Sequence, residues 1–294
     1  MSLHDLFAAQ TGFATTEQLL AEMSYRTLVR RIRDEKLFRV WRGVYAERPP
    51  TTIDRLCALD LVTGKSLVAC MHTAAELHGF TVENDSRVHI LDPGVRMRVS
   101  KELMVHQRTG APLTRIQSRL ATVPAWTAVE LARTLRRPRA LAVLDRVLFK
   151  QCCTTAELSA AIDEQRGRRG IVQTRELIEY ADGRSESPLE SEARLVFIDG
   201  GLPMPELQYE IVDRCGKLWR VDFAWPHAMV VAEYESMEWH ATPEALKHDR
   251  MKVARLQECG WTSIPIVVDD VRRHPLELVA RVATHLSRGS SLAG

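Results

Sequence analysis

Four carboxylates near the C-terminus have the residue types and spacing of a metal-dependent hydrolase. Asp222 closes one predicted strand, whereas Glu233 and Glu235 end the next one. Because side chains alternate along a strand, Glu233 and Glu235 lie on the same face. Glu190 comes from the preceding predicted helix. Such oxygen ligands could hold Mg²⁺ for phosphodiester hydrolysis, so the hypothesis is a set of four catalytic residues in which Asp222 and Glu233 bind the metal. In the alternative interpretation, Glu190 and Asp222 pair with Arg220 or Arg250 and hold the fold together.

A second chemical feature is the concentration of cations in residues 24–45. This segment carries seven Arg or Lys side chains and two acidic ones, a local net charge of +5, although the whole chain has a net charge of only +2. The remainder of the chain is therefore net acidic. A cationic patch that neutralises phosphates binds DNA through counterion release, so this segment is the candidate nucleic-acid interface.

The elements around this segment predict a helix-turn-helix. A second predicted helix begins after Thr15 or Thr16 and carries the apolar stripe Leu19, Leu20 and Met23. A third predicted helix runs from Tyr25 to Lys36 with Ser24 as its N-cap, and only a few residues separate the two. Its apolar positions follow helical spacing and are predicted to face the core; they are Tyr25, Leu28, Val29 and Ile32.

The predicted DNA contacts fall on this helix and on the hairpin after it. In helix-turn-helix proteins, the recognition helix contacts base edges in the major groove with its first turn. In this chain the predicted recognition helix is the third one, which begins at Tyr25. Arg39 and Arg42 lie on the predicted hairpin and would contact backbone phosphate or the minor groove. The predicted major-groove residues are Tyr25, Arg26, Thr27, Arg30, Arg31 and Arg33. The alternative is a solvated cationic helix on a small helical domain.

Length and composition restrict the class of protein. The 294 residues suggest more than one domain, and 45% apolar with 27% charged residues is typical of globular proteins. These values exclude a largely disordered chain, a coiled coil and a collagen-like fibre. The longest apolar runs fall far short of the roughly 20 residues that span a bilayer. We expect a cytoplasmic protein, because the N-terminus shows no secretory signal and six cysteines form no C-x-x-C pair.

The pattern of elements predicts an α/β (α+β) protein with three domains. Residues 1–48 read as a winged helix-turn-helix domain, and residues 51–170 as a mixed α/β domain that begins after Arg48-Pro49-Pro50. Residues 171–294 read as a C-terminal α/β domain with the predicted order helix, three strands, helix, strand, helix.

The N-terminal and middle regions resemble AbiEi-type antitoxins of type IV, abortive-infection toxin–antitoxin systems, and most of all their mycobacterial members. The resemblance covers roughly residues 5–160. It implies a winged helix that binds inverted repeats in the protein's own promoter. It also implies a nucleotidyltransferase-like partner toxin encoded nearby, of the MenT type. The matching segments are 12–19, 37–45 (Leu-Phe-Arg-Val-Trp-Arg-Gly-Val-Tyr), 74–79, 87–90 and 105–106.

The C-terminal region resembles very-short-patch-repair endonucleases, within the restriction-endonuclease-like superfamily. The superfamily carries a lysine two residues after its second carboxylate, but this chain has Glu235 there, and Ser236 replaces a family glycine. We therefore expect an inactive or weakened nuclease domain, with Mg²⁺ needed only if it is active. The resemblance also points to His240, Asp249 and Arg250 as polar residues near the site. The matching segments are 187–191, 201–205, 220–226, 233–235 and 260–261.

Three functions follow from these patterns. The first is a DNA-binding antitoxin that represses its own operon, without a membrane role. The alternative is a Mg²⁺-dependent DNA endonuclease targeted by the winged helix, and the third is a transcription factor without a toxin partner. Four histidines, His72, His78, His89 and His106, match no metal-ligand spacing and are expected to be structural. The basic loop Arg166, Arg168 and Arg169 reads either as a phosphate contact or as a solvated linker.

Overall fold

The computed structural model describes residues 3–9, 12–95, 97, 99–235 and 243–292. It shows a mixed α/β protein in which the described strands form three sheets. The chain divides into two compact units: residues 1–79 with 83–127, and residues 80–82 with 128–294. Each unit has its own sheet-based core. The division into three domains stays a prediction. Within the described residues, no helix is both long and apolar enough to cross a membrane.

The first unit begins with three short helices and a three-stranded antiparallel sheet of order β1-β3-β2. Thr15 and Gln18 form a capping box at the start of α2, and the Ser24 hydroxyl accepts the backbone N–H of Thr27 to cap α3. A buried cluster that includes Leu19 and Leu28 holds these helices together. The elements are α1 (Leu3–Ala9), β1 (Phe13–Thr15), α2 (Thr16–Glu22), α3 (Tyr25–Arg33), β2 (Phe38–Trp41) and β3 (Val44–Ala46).

The third helix ends at Arg33, three residues before the predicted end at Lys36. Glu35 adopts a left-handed backbone conformation, and the backbone N–H groups of Lys36 and Leu37 both turn back to the carbonyl of Arg31. These bonds satisfy the last carbonyls of the helix and lead the chain into β2.

A five-stranded mixed sheet of order β6-β5-β4-β8-β7 forms the rest of the first unit. The predicted strands at 87–91 and 103–107 correspond to β5 and β6, which pair in parallel. The strands β4, β7 and β8 were not predicted; β4 has only two residues. The elements are α4 (Thr52–Thr63), β4 (Val68–Ala69), α5 (Met71–His78), β5 (Val88–Leu91), β6 (Leu103–His106), β7 (Leu113–Ile116) and β8 (Arg119–Thr122). Helix α6 (Pro124–Ala132) follows and continues into the second unit.

The second unit contains a helical part and a four-stranded sheet of order β12-β11-β10-β9. The predicted succession of helix, three strands, helix, strand and helix is found, with a further short helix, α12, before the last one. The elements are α7 (Arg137–Phe149), α8 (Thr155–Glu164), α9 (Ile171–Leu177), α10 (Pro188–Asp199), β9 (Glu206–Val212), β10 (Leu218–Trp225), β11 (Val230–Tyr234), α11 (Pro243–Glu258), β12 (Thr262–Ile266), α12 (Val268–Arg272) and α13 (Pro275–Leu292).

Helix α10, which carries Glu190, is held by buried charges. Arg194 donates to Asp145 of α7 at 2.5 Å, and both side chains are almost fully buried. Arg194 also donates to the carbonyl oxygen of Tyr180, whereas Glu192 accepts from Arg139 and Arg272. Because buried charges are stable only when they are paired, these contacts fix the position of α10 against α7 and α12.

Candidate functional sites

Helix α3 presents a face of arginines to solvent. Leu28 is 2% exposed and packs into the core, whereas Arg26, Arg30 and Arg33 are exposed. Arg26 and Arg30 have no ion pair with any carboxylate of the described residues, and Arg33 contacts only the neighbouring Asp34 at 3.1 Å. Since no carboxylate of the described residues neutralises Arg26 or Arg30, the helix can offer at least these two arginines to an anionic partner.

Four of the predicted DNA-contacting residues surround one cleft on α3. Arg26, Thr27, Arg30 and Arg33 border it together with Val29, and its volume is about 390 Å³. Arg31 stands apart, because two residues along a helix rotate the side chain by about 200° from Val29, and it is half-buried.

The predicted core stripe of α3 is only partly correct. Leu28 is buried and Ile32 is half-buried, but Tyr25 is 69% exposed and Val29 is 47% exposed. Helical spacing alone allowed all four positions on one apolar face. The buried cluster against which α3 packs covers only a narrow stripe of the helix, formed by Leu28 and Ile32. Val29 lies outside this stripe and points outward beside the arginines. Tyr25 in the first turn is exposed as a groove contact requires.

The hairpin β2–β3 carries the other two predicted contacts. Arg39 lies opposite Tyr45 in the antiparallel register and is exposed, and Arg42 is exposed in the turn. Gly43 completes the turn at φ 83°, a left-handed conformation that favours glycine. The hairpin base is anchored because Trp41 donates its indole N–H to the carbonyl oxygen of Arg55 at 2.7 Å.

The second unit brings three of the four predicted catalytic carboxylates into one cluster. Glu190 of α10 accepts from the backbone N–H of Glu186 and the amide of Gln208, and Asp222 accepts the backbone N–H of Tyr234 at 2.9 Å. Burial raises the pKa of Glu190, and the nearby charge of Asp222 raises it further. Burial likewise raises the pKa of Asp222 and of Glu233. Glu235 is exposed and does not share this environment.

Lys252 is the residue of this cluster that the sequence analysis missed. Its ammonium donates to a carboxylate oxygen of Glu233, and the two side chains are 17% and 18% exposed. The charge of Lys252 also acts to lower the pKa of both Asp222 and Glu233 against the effect of burial. The sequence contained one signal for this position: Lys252 lies one helical turn before Leu256, which is fully buried on α11, so the two side chains share a face of the helix.

The other residues predicted near the carboxylates form no ion pair with them among the described residues, although the charge of Asp249 acts to raise the pKa of Glu233. Arg220 forms its ion pair with Glu186 at 2.9 Å, although it lies two residues from Asp222 on the same strand and its charge acts to lower the pKa of Asp222. Asp249 and Arg250 are exposed on α11. Ser236 and His240 lie outside the described residues. The cation that forms an ion pair with this cluster comes from α11 and is Lys252.

The carboxylates do not fit a magnesium site in this arrangement. Among the residues that the structure describes, no three His, Cys, Asp or Glu side chains are grouped so that they could hold a metal ion. Oε2 of Glu233 accepts from the ammonium of Lys252, and Oε2 of Glu190 accepts from both the backbone N–H of Glu186 and the amide of Gln208. Mg²⁺ binding stays a prediction, without a preformed site to support it.

Two of the four histidines, His89 and His106, form a hydrogen-bonded chain with Asp85 in the first unit. His89 is buried and lies between Asp85, at 3.0 Å from Nε2, and His106, at 2.9 Å from Nδ1. Burial lowers the pKa of His89 to about 4, although the hydrogen bond to Asp85 opposes this change. A neutral His89 that donates to Asp85 accepts from His106. The arrangement links β5 to β6.

Comparison with known proteins identifies the middle of the chain. Residues 67–180 match the family model for the AbiEi antitoxin C-terminal domain. Two uncharacterized proteins of Mycobacterium tuberculosis, MT2308 of strain CDC 1551 and Rv2248 of strain H37Rv, are each 58% identical over 266 residues. The match covers 90% of this chain and 98% of each relative. The chain therefore belongs to one family with these mycobacterial proteins, and its AbiEi domain supports an AbiEi-type antitoxin of a toxin–antitoxin system.

Proposed function

We propose that the protein is a DNA-binding antitoxin that represses transcription of its own type IV toxin–antitoxin operon. The observation that carries the proposal is the exposed arginine face of α3, a helix that Ser24 caps. Among the residues that the structure describes, Arg26 and Arg30 of this face have no carboxylate partner. The AbiEi domain supports the antitoxin role. The partner toxin is a nucleotidyltransferase-like enzyme encoded nearby.

In this proposal residues 1–48 act as a winged helix on double-stranded DNA. Helix α3 enters the major groove, where an arginine can form a bidentate pair with guanine. Arg39 and Arg42 on the hairpin contact phosphates. The target is an inverted repeat in the protein's own promoter, so that bound protein blocks transcription of the operon.

The test is a gel shift with the upstream promoter over a range of salt concentrations. Arg30→Ala should weaken binding by about 1–3 kcal/mol if Arg30 reads a guanine. If it contacts a phosphate, the slope of log K against log salt should fall by about 0.9. The matched control is Arg273→Ala, which removes an exposed arginine on the second unit.

Unchanged binding after Arg26→Ala and Arg30→Ala together would contradict the proposed interface. The antitoxin role has its own readout: growth of cells that express the neighbouring toxin with and without this chain. Rescue by a variant that has lost DNA binding would separate toxin neutralisation from repression.

The second candidate is a Mg²⁺-dependent DNA endonuclease, with a restriction-endonuclease-like fold for the C-terminal region. The observation that favours it is the lysine beside Glu233, because Lys252 restores a cation to a cluster that lacks one at position 235. The test is cleavage of plasmid DNA in Mg²⁺ or Mn²⁺, compared between the wild type and Asp222→Ala. Cleavage that persists in Asp222→Ala, or no cleavage by the wild type, would exclude this site as a nuclease.

A further inference from the structure

Val29 is an exposed apolar side chain in the middle of the arginine face of α3. It is 47% exposed, and Leu28 beside it is buried. Leu28 and the half-buried Ile32 already supply the contacts of this helix with the core. Val29 is therefore not a core residue, and its side chain is available to a partner that covers this face of the helix.

The surroundings of Val29 restrict the kind of partner. It borders the same cleft as Arg26, Arg30 and Arg33, so a partner that covers Val29 also meets these guanidinium groups. An apolar protein surface would leave unpaired arginines in the interface, which is costly. A partner with negative charge around a small apolar group satisfies both kinds of side chain.

The major groove of DNA has this combination. Phosphates line the groove, guanine offers acceptors to arginine, and the C5-methyl group of thymine is the apolar group at the base edges. Uracil lacks this methyl group, and the major groove of A-form RNA is too deep and narrow for side chains to read. The chemistry of the Val29 face thus favours DNA over RNA.

We propose that Val29 is a specificity-determining residue that contacts the methyl group of a thymine next to bases read by the arginines. This inference rests on the proposed function, because it requires α3 to enter the major groove. It adds that the recognised site contains thymine at a defined position and that its methyl group contributes to affinity.

The test removes the methyl group from the DNA and the side chain from the protein. The full-length chain first selects bound duplexes from a randomised pool. Each thymine of a selected duplex is then replaced by deoxyuridine, which lacks only the methyl group, and affinities are measured for the wild type, Val29→Ala and Val62→Ala. Val62 is the matched control, since it is 59% exposed on α4.

The wild type should lose roughly fourfold in affinity at one or two positions, the equivalent of burying one methyl group at about 0.8 kcal/mol. Val29→Ala should bind the thymine duplex more weakly and be insensitive to deoxyuridine at those positions, whereas Val62→Ala should behave as the wild type. Circular dichroism of each variant checks that the fold is retained.

Two results overturn the inference alone: equal wild-type affinity for thymine and deoxyuridine at every position, or a Val29→Ala variant that keeps the wild-type sensitivity. If the pool yields no bound duplex, the proposed DNA binding fails and the inference fails with it. Selection of duplexes without methyl sensitivity leaves the DNA-binding proposal intact.

Discussion

Replacing Lys252 with methionine should destabilise the second unit, because it removes the cation of a buried acid cluster. Lys252 and Glu233 are both more than four-fifths buried, and Asp222 and Glu190 share the cluster. Methionine keeps the length of the apolar stem and removes only the charge. The acids would then face each other without the ammonium group that offsets their repulsion.

The expected magnitude follows from burial. Breaking a buried pair by removing one partner costs about 3–5 kcal/mol. The remaining exposure and the ability of the carboxylates to take up a proton reduce this value, so we expect a loss of about 2–4 kcal/mol in the free energy of unfolding at neutral pH.

Urea unfolding followed by tryptophan fluorescence measures this loss. Arg255→Met is the matched control on the same helix, because its ion pair with Glu258 is more exposed than that of Lys252 with Glu233, and surface ion pairs contribute little to stability. The double variant Glu233→Gln with Lys252→Met should recover part of the loss, since it no longer leaves an unpaired charge. A Lys252→Met variant as stable as Arg255→Met would refute the reasoning.

Two further predictions concern a histidine and a glycine. The pKa of His89 is about 4 in the folded protein and 6.5 in the unfolded chain. Between these two pH values the unfolded chain binds more protons than the folded protein. The free energy of unfolding should therefore fall as pH decreases through this window, by at most roughly 3 kcal/mol. His89→Gln should flatten this part of the pH–stability profile, whereas equal profiles for wild type and His89→Gln would contradict the prediction. Gly170 has φ +83°, and a Cβ there would lie 2.0 Å from the backbone carbonyl oxygen of Arg133; Gly170→Ala should therefore lower the melting temperature sharply. Gly216→Ala, with φ +80° and open space around it, measures the cost of the backbone conformation alone, and an equal loss in the two variants would show that the contact with Arg133 is unimportant.

The second unit was largely predictable because its pattern is local. In the predicted strands 207–213 and 217–224, apolar residues alternate with polar ones, and a polar turn joins the two strands. The helices around them have capping residues such as Ser187. The short strand β4 was not predictable in the same way. Two residues have no periodicity, and Val68–Ala69 becomes a strand only because β5 and β8 lie on either side of it.

The candidate sites show the same division. The arginine face of α3 could be read from a spacing of four and three residues, because a helix converts spacing directly into a face. The outward direction of the Val29 side chain could not be read from the sequence, since it depends on how much of α3 the buried cluster around Leu19 and Leu28 covers. The cation of the acid cluster was sought at position 235, two residues after Glu233, but Lys252 is nineteen residues away on another element.

The sequence by itself determined the family resemblance, the order of elements in the second unit and the concentration of positive charge at α3 and its hairpin. These properties depend on neighbours in the chain, through capping, periodicity and local charge. Only the tertiary structure decided which carboxylates share a buried site, that Lys252 joins Glu233, and that Val29 lies among arginines instead of in the core. Those outcomes depend on packing between segments distant in sequence, which bury some groups and expose others.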